Sequence, residues 1–149
     1  MSVPLTVLMP CHDQRRELLI PALASLRAQT DPDWRLLVIT APATPAWIPA
    51  LVRSLGDARV ALTVSRGEGL GGALNTGYRE AVTPFVTHLF SDDMLAPGAV
   101  ATLRAHVAAH PEVPSRRRAT ANPVRDPIAA RSAATQPASS TMSASTCTR

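Results

Sequence analysis

From Leu5 to about His110, short apolar runs alternate regularly with segments of helical periodicity, and this alternation constrains the fold more than any other feature. The apolar runs are continuous rather than alternating with polar residues, which is typical of strands buried on both faces of a parallel sheet. The four runs are LTVLM, RLLVIT, RVALTVS and FVTHLF, and a helical segment follows each of them. The sequence therefore predicts an α/β fold with a mostly parallel sheet and helices on both faces.

Three polar or glycine-rich stretches follow the first, third and fourth predicted strands, and read PCHDQ, SRGEGLGG and SDDM. In sheets of this kind, ligands bind beyond the carboxyl ends of the strands. We therefore expect any functional site to be built from these three stretches.

The glycine cluster Gly67–Gly72 reads GEGLGG and matches the G-x-G-x-x-G pattern of dinucleotide-binding proteins. It follows a predicted strand and opens a predicted helix, and Asp92 lies twenty residues beyond Gly72, where a ribose-binding acid is expected. A nicotinamide-binding pattern, however, normally belongs to the first strand–turn–helix unit, and here it belongs to the third. A purely structural role, in which the glycines permit a tight turn and close helix–sheet packing, also stays open.

The acidic pair Asp92 and Asp93 stands at the end of the fourth predicted strand. Two adjacent carboxylates cannot both enter the core without a large desolvation cost. A divalent cation would relieve their repulsion, because hard cations prefer carboxylate oxygen. Mg²⁺ or Mn²⁺ held there would bridge the diphosphate of a nucleotide and stabilise it as a leaving group. An exposed turn that begins the last helix is the alternative interpretation.

The order and content of three segments resemble the family 2 glycosyltransferases, which have the GT-A fold and transfer sugar from a nucleotide-sugar donor. In the first, the strand LTVLM leads through Pro and a polar turn to a helix ending in SLRAQT, and PDW precedes the second strand. The second, RGEGLGGALNTGYREA, contains A-x-N-x-G, and the third, THLFSDDMLAPGAV, places the acidic pair after an apolar strand. The resemblance covers about Pro4 to His110 and implies the nucleotide-sugar-binding portion of a GT-A fold over residues 1–112.

The resemblance also implies a set of site residues. The turn after the first strand would border the base and ribose, the glycine-rich segment would lie under the nucleotide, and Arg66 would face the diphosphate. The residues implied to bind the nucleotide are Pro10, Cys11, His12, Asp13, Arg66, Gly69, Asn75 and Asp92. Asp92 and Asp93 would hold Mg²⁺ or Mn²⁺ as cofactor, and the ligand would be a UDP-, GDP- or dTDP-linked sugar.

Three departures from the family pattern bear on function. After the second strand, where the family usually has an acidic pair that reads the base, the chain has VITAPATP without an acid. The acid that the fuller motif places two positions before Asp92 is replaced by Phe90. The family places the general base for the acceptor hydroxyl in a second half-domain, and nothing after Pro111 resembles it. The sequence therefore identifies neither a catalytic residue nor an acceptor.

Three functions stay open at this point. The sequence favours a metal-dependent, inverting glycosyltransferase. A truncated chain that binds a nucleotide without catalysis is the first alternative, and an NAD(P)-binding oxidoreductase domain is the second.

The formal charge is divided unevenly along the chain. Residues 1–114 contain nine Arg and ten acidic residues, a net charge of −1, whereas residues 115–149 contain six Arg and one Asp, a net charge of +5. The predicted folded part therefore offers no electrostatic argument for nucleic acid as a partner. Residues 113–149 are rich in Ser, Ala, Pro and Arg without any period, which predicts a disordered tail. A truncated or out-of-frame ending is one hypothesis for its origin.

The two cysteines, Cys11 and Cys147, form no disulfide framework, which favours a reducing cytoplasm. We see no signal peptide at the N-terminus. No apolar run approaches the roughly 18 residues that a membrane span needs, so no integral membrane segment is expected. Peripheral association with the inner face of the membrane stays open.

Overall fold

A computed structural model describes residues 4–110 of the chain. Strands and helices alternate along it in the order β1 (Leu5–Pro10), α1 (Arg16–Arg27), β2 (Trp34–Thr40), α2 (Trp47–Ser54), β3 (Val60–Val64), α3 (Gly69–Glu80), β4 (Phe85–His88) and α4 (Ala99–Ala109). Each strand and helix predicted from the sequence is present. The predicted tail, residues 113–149, lies outside the described residues, and the boundary at residue 112 stays a prediction.

The four strands form one sheet in the order β3-β2-β1-β4, and every neighbouring pair is parallel. Strand β1 is central and pairs on both sides, so that Leu5 stands opposite Trp34 in β2 and Phe85 in β4. Because all four strands run the same way, their carboxyl ends meet at one edge of the sheet. The turns after β1, β2, β3 and β4 are therefore neighbours.

Helices cover both faces of the sheet, as predicted. Alternate β1 residues point to opposite faces, and Val7 belongs to a core shared with α1, α2 and α4, whereas Leu8 belongs to a second core that includes Ala73 of α3. Helix α3 is thus the crossover from β3 to β4 on its own face of the sheet. Within residues 4–110, no helix is both long and apolar enough to cross a membrane.

Helix α3 packs closely on the sheet through a glycine. A β-carbon added to Gly77 would lie 2.6 Å from Cδ1 of Ile39 and 3.0 Å from both terminal methyl groups of Leu8. A side chain at this position would have to displace these methyl groups of β1 and β2 or move the helix. The glycine of the A-x-N-x-G segment therefore sets the spacing between helix and sheet.

Gln29, two residues after the end of α1, makes two hydrogen bonds to the backbone at the start of α4. Nε2 of Gln29 donates to the carbonyl of Ala96 at 2.7 Å, and its Oε1 accepts from the N–H of Val100 at 2.9 Å. Arg104 of the same helix pairs with Asp31 and Asp33, the latter at 2.8 Å. These contacts hold the far end of the segment between β4 and α4, which contains the acidic pair.

Two expectations about the strands are wrong. The fourth strand ends at His88, two residues earlier than predicted, and both β3 and β4 are only half-buried because they are the outer strands of the described sheet. His88 belongs to the run FVTHLF, which was predicted to be a buried strand, but its side chain is exposed and its Nε2 lies 2.7 Å from the hydroxyl of Tyr78. Continuous apolar character correctly predicted burial only for the inner strands β1 and β2.

Candidate functional site

A cleft of about 620 Å³ opens at the carboxyl ends of β1, β2 and β3. Residues 10–12, 39–43 and 65–70 line it, together with Ala73. One segment therefore comes from the end of each of three neighbouring strands. This is where ligands bind in open parallel sheets.

The first two walls of the cleft are held together by hydrogen bonds across the strand ends. The N–H of Cys11 donates to the carbonyl of Ile39 at 2.8 Å. The hydroxyl of Thr44 accepts from the N–H of Ala41 at 2.8 Å and donates to the carbonyl of Cys11 at 3.3 Å. The turn after β2 is thereby ordered without any acidic side chain. Its wall is apolar, formed by residues 41–43, and suits the flat face of a base.

The third wall is the glycine-rich loop between β3 and α3. Its entry is fixed by Thr76, whose hydroxyl accepts from the N–H of Arg66 at 2.9 Å and donates to the carbonyl of Gly72 at 2.9 Å. Gly69 has a φ of +62°, a left-handed conformation that side chains with a β-carbon rarely adopt. The first turn of α3 then faces the cleft, and the unpaired N–H groups and positive dipole end of a helix favour an anion there.

The position of this loop argues against a nicotinamide site. In the doubly wound fold, the dinucleotide-binding glycines follow the central first strand. Here the turn after β1 reads CHDQR and contains no glycine, and the cluster Gly67–Gly72 follows the outer strand β3. The spacing of the glycines matches the dinucleotide pattern, but their place in the sheet does not.

Cys11 and His12 both line the cleft but differ in burial. Cys11 is buried and His12 is exposed. Burial raises the pKa of the Cys11 thiol, a hydrogen bond with Ser91 opposes that rise, and the charge of Asp13 adds to it. A buried thiol with a raised pKa is typical of a structural cysteine, and Cys11 forms part of the cleft wall.

The structure brings together some of the predicted site residues and separates others. Those that line the cleft are Pro10, Cys11, His12, Arg66 and Gly69. Those that do not line it are Asp13, Asn75, Asp92 and Asp93. Asn75 is exposed because α3 turns Ala73, Thr76 and Gly77 toward the sheet, which leaves Asn75 on the opposite side of the helix.

The acidic pair lies in a tight turn after β4. The N–H of Asp93 donates to the carbonyl of Phe90 at 3.0 Å, and Ser91 within the turn is buried while both aspartates are exposed. Because β4 lies beside β1, this turn is next to the turn after β1, and Nε2 of Gln14 donates to the Ser91 hydroxyl at 3.1 Å. The acids thus stand near the cleft without lining it.

The donor set of this turn fits a hard divalent cation. Two adjacent carboxylates suffice for Mg²⁺ or Mn²⁺ when water and substrate phosphate complete the coordination. Among residues 4–110, no three His, Cys, Asp or Glu side chains form a group that could hold a metal ion. A cation at Asp92 and Asp93 would therefore take its remaining ligands from water and from a bound molecule.

The turn after β2 supplies residues 41–43 of the cleft and lies outside the three stretches predicted to build the site. Glu68 lies within the predicted stretch SRGEGLGG but is not among the residues implied to bind the nucleotide. The turn after β2 contains no charged or glycine residue, so its position at a strand end is the one signal in the sequence that indicates it. Strand topology was a better guide to the cleft than side-chain chemistry.

Comparison with known proteins agrees with this architecture. The chain is 27% identical over 112 residues to the O-antigen biosynthesis protein RfbC of Myxococcus xanthus, which covers 73% of this chain and 9% of that protein. The structure of S. aureus TarS 1-349 in complex with UDP superimposes with a TM-score of 0.63 at 18% identity, over 72% of this chain and 33% of that one. The mannosyltransferase PcManGT from Pyrobaculum calidifontis, in complex with GDP-Man and Mn²⁺, gives a TM-score of 0.56 at 22% identity, over 68% and 31% respectively.

The chain therefore spans about a third or less of the length of each of these relatives. The solved structures share its fold, which confirms the predicted GT-A architecture. The sequence profile of Glycosyl transferase family 2 matches residues 6–143. Because this match covers most of the chain, the protein belongs to glycosyl transferase family 2.

Proposed function

We propose that the chain binds the nucleoside diphosphate sugar donor of a glycosyl transfer in the cleft at the carboxyl ends of β1, β2 and β3. The single observation that carries the proposal is the convergence of three strand-end segments on one cleft of about 620 Å³ in a member of this family. A cleft of that size accommodates a nucleotide-sized ligand.

The chemistry of the walls suits the parts of such a donor. The apolar turn at residues 41–43 offers a surface for the base, and no carboxylate stands on that turn to read it. The first turn of α3 and Arg66 supply N–H groups and positive charge for the diphosphate. The similar structures of TarS 1-349 are complexes with UDP and with UDP-GlcNAc, and that of the mannosyltransferase contains GDP-Man, which supports a nucleotide-sugar ligand in this cleft as well.

Asp92 and Asp93 are proposed to hold Mg²⁺ or Mn²⁺ beside the diphosphate. Both carboxylates are exposed, adjacent and anchored next to the turn after β1, so they can reach a ligand that extends beyond the cleft. When bound, the cation would offset the charge that develops on the departing diphosphate. The Mn²⁺ in the mannosyltransferase complex supports the choice of ion.

Transfer to an acceptor needs more than donor binding. A general base must stand within hydrogen-bond reach of the acceptor hydroxyl, and we assign none among residues 4–110. The proposed contribution of the described part is therefore donor binding and leaving-group stabilisation. Nucleotide binding without transfer remains the alternative, and the two are separated by measuring donor turnover.

Calorimetric titration of the full chain with UDP, GDP and dTDP, with and without Mn²⁺, tests the proposal. We expect one of them to bind, with an affinity that Mn²⁺ increases by at least about tenfold, which is a coupling of roughly 1.4 kcal/mol. Asp92→Asn and Asp93→Asn should each remove the increase while leaving metal-free binding within about twofold. Glu17→Gln, which neutralises an exposed carboxylate on α1 that does not line the cleft, is the matched control.

Two other outcomes decide between the remaining functions. Binding of NAD that is indifferent to Mn²⁺ and is lost in Gly69→Val would overturn the proposal in favour of a dinucleotide site. Metal-assisted UDP or GDP binding with no hydrolysis or transfer of the matching sugar nucleotide would support binding without catalysis.

A further inference from the structure

The turn that carries the acidic pair has one residue turned inward. The hydrogen bond from the N–H of Asp93 to the carbonyl of Phe90 closes the turn around Ser91 and Asp92. Ser91 is only 8% exposed, whereas Asp92 and Asp93 are exposed. A serine is small enough to be buried in such a turn, and its hydroxyl must then find partners in the protein.

Gln14 supplies one of these partners, and its own orientation is set locally. Its Oε1 accepts from the N–H of Arg15 at 2.9 Å, which leaves Nε2 to donate to the Ser91 hydroxyl at 3.1 Å. The two residues are 77 positions apart in the chain. The contact therefore ties the turn after β1 to the turn after β4.

Cys11, three residues before Gln14 in the same turn, lines the cleft. The Ser91 hydroxyl is thus bonded to the turn that also supplies part of the cleft wall. Just before the turn, the N–H of Leu89 donates to the carbonyl of Leu8 at 3.0 Å and continues the β1–β4 pairing. The position of the carboxylates relative to the cleft is set through these contacts.

We propose that Ser91, held by Gln14, is the positioning residue that presents Asp92 and Asp93 to the diphosphate of a ligand in the cleft. The inference rests on the proposed function. Asp92 and Asp93 hold the cation, and the Gln14–Ser91 hydrogen bond determines where they hold it. Loss of this hydrogen bond should therefore reduce the increase in nucleotide affinity that the metal causes. The affinity measured without metal should not change.

Two substitutions remove the hydrogen bond from opposite ends. Ser91→Ala deletes the hydroxyl, and Gln14→Met removes the donor while keeping the length of the side chain. Ser91→Thr keeps the hydroxyl and serves as the rescue variant. Ser54→Ala removes an exposed hydroxyl on α2, outside the cleft, and is the matched control.

The measured quantity is the increase in UDP affinity caused by Mn²⁺, from calorimetry on the full chain. Mn²⁺ binding followed by electron paramagnetic resonance in the presence of UDP gives a second readout. We expect Ser91→Ala and Gln14→Met each to reduce the increase by about 2- to 10-fold, the range that corresponds to the loss of one hydrogen bond. Metal-free UDP affinity should stay within about twofold, and Ser91→Thr and Ser54→Ala should resemble the wild type.

The double variant separates positioning from general damage. If both residues act through one hydrogen bond, Ser91→Ala combined with Gln14→Met should lose no more of the Mn²⁺ effect than either change alone. Additive losses, or a fall in metal-free affinity equal to the fall with Mn²⁺, would contradict the positioning role.

Different results would contradict the positioning role of Ser91 and the proposed function. A wild type whose UDP affinity rises with Mn²⁺, together with variants that keep the full increase, would overturn the role of Ser91 and leave the proposed function intact. A wild type whose nucleotide affinity ignores Mn²⁺ would overturn the metal site itself, and the inference with it.

Discussion

The backbone of Gly67 lies directly against Gly72, so that a β-carbon added to Gly72 would come within 2.2 Å of the carbonyl carbon of Gly67. The loop after β3 therefore folds back over the first turn of α3. This contact gives the glycine cluster a structural explanation: it allows two stretches of backbone to touch at the rim of the cleft. The G-x-G-x-x-G spacing therefore has a structural explanation that does not require a dinucleotide.

Substitution at Gly72 should therefore damage both stability and the cleft. Gly72→Ala forces backbone apart, and we expect it to cost about 1–3 kcal/mol of unfolding free energy and to weaken UDP binding. Gly71→Ala, one residue earlier, meets nothing within 4 Å and should be neutral or stabilise the helix by up to about 1 kcal/mol. Urea unfolding and UDP titration of the two variants test this. Equal effects at both positions would show that the contact does not matter.

The packing of α3 on the sheet should depend on the side chains at both position 77 of α3 and position 39 of β2. Gly77→Ala places a methyl group against Cδ1 of Ile39 and is expected to cost about 1–3 kcal/mol. Ile39→Val alone should cost about 0.5–1.5 kcal/mol because it leaves a small cavity. Since Val lacks Cδ1, the double variant should lose less stability than the sum of the two. Strict additivity in chemical unfolding would argue that the clash is relieved elsewhere.

Arg66 forms an ion pair with Glu80, in which Oε1 of Glu80 lies 3.2 Å from a guanidinium nitrogen of Arg66. The Arg66 side chain is 71% exposed, so this pair is weak and a ligand anion can compete for it. We expect Glu80→Gln to raise UDP affinity by about 1.5- to 5-fold at low salt. Arg66→Gln should lower it.

Two controls distinguish a contact between Arg66 and the diphosphate from a general effect of charge. Uridine, which lacks the diphosphate, should bind all variants equally. Arg79→Gln removes an exposed positive charge from α3 that does not line the cleft and should have no effect at moderate salt. A loss of UDP affinity in Arg79→Gln equal to that in Arg66→Gln would point to general electrostatics instead of a contact.

Asp57 should make a pH-dependent contribution to stability. Hydrogen bonds from the Arg59 side chain, and then from its backbone N–H, lower the pKa of Asp57 from 3.8 to about 2. A carboxyl whose pKa is depressed by folding stabilises the folded state above its unfolded pKa and loses that contribution as pH falls toward the folded value. Asp57→Asn should therefore lower the unfolding free energy by about 1–2 kcal/mol at pH 7, after allowance for surface screening.

The difference between wild type and Asp57→Asn should shrink between about pH 4 and pH 2 and vanish below it. Unfolding curves at a series of pH values measure it. Arg59 also stacks over the ring of Trp34 at 3.8 Å, so Arg59→Gln should cost more than the ion pair alone. A pH-independent difference for Asp57→Asn would contradict the assignment.

The sequence predicted the succession of elements well because each strand and helix carries its own local signal. LTVLM and RLLVIT are predominantly apolar and form the two inner strands. The same reasoning failed for His88, because an apolar run does not reveal whether its strand is inner or outer in the sheet. That property depends on strand order.

The candidate site was predicted in part for a similar reason. Pro10 ends β1 and Gly69 begins α3 after the loop that follows β3, and the parallel strands bring these two positions to the same edge of the sheet. Asn75 was inferred from a resemblance along the chain, and the rotation of α3 leaves it on the exposed side of the helix. The turn at residues 41–43 carried no chemical signal, and only its position after β2 makes it a wall of the cleft.

The sequence by itself thus determined the α/β class, the family and the strand ends at which chemistry is concentrated, because periodicity and short motifs are local properties of the chain. The tertiary structure decided which of these ends meet. It joined the turns after β1, β2 and β3 into one cleft and set the acidic turn beside them through Gln14 and Ser91. Those relationships depend on the order β3-β2-β1-β4, which arises from the packing of distant segments and has no local signature.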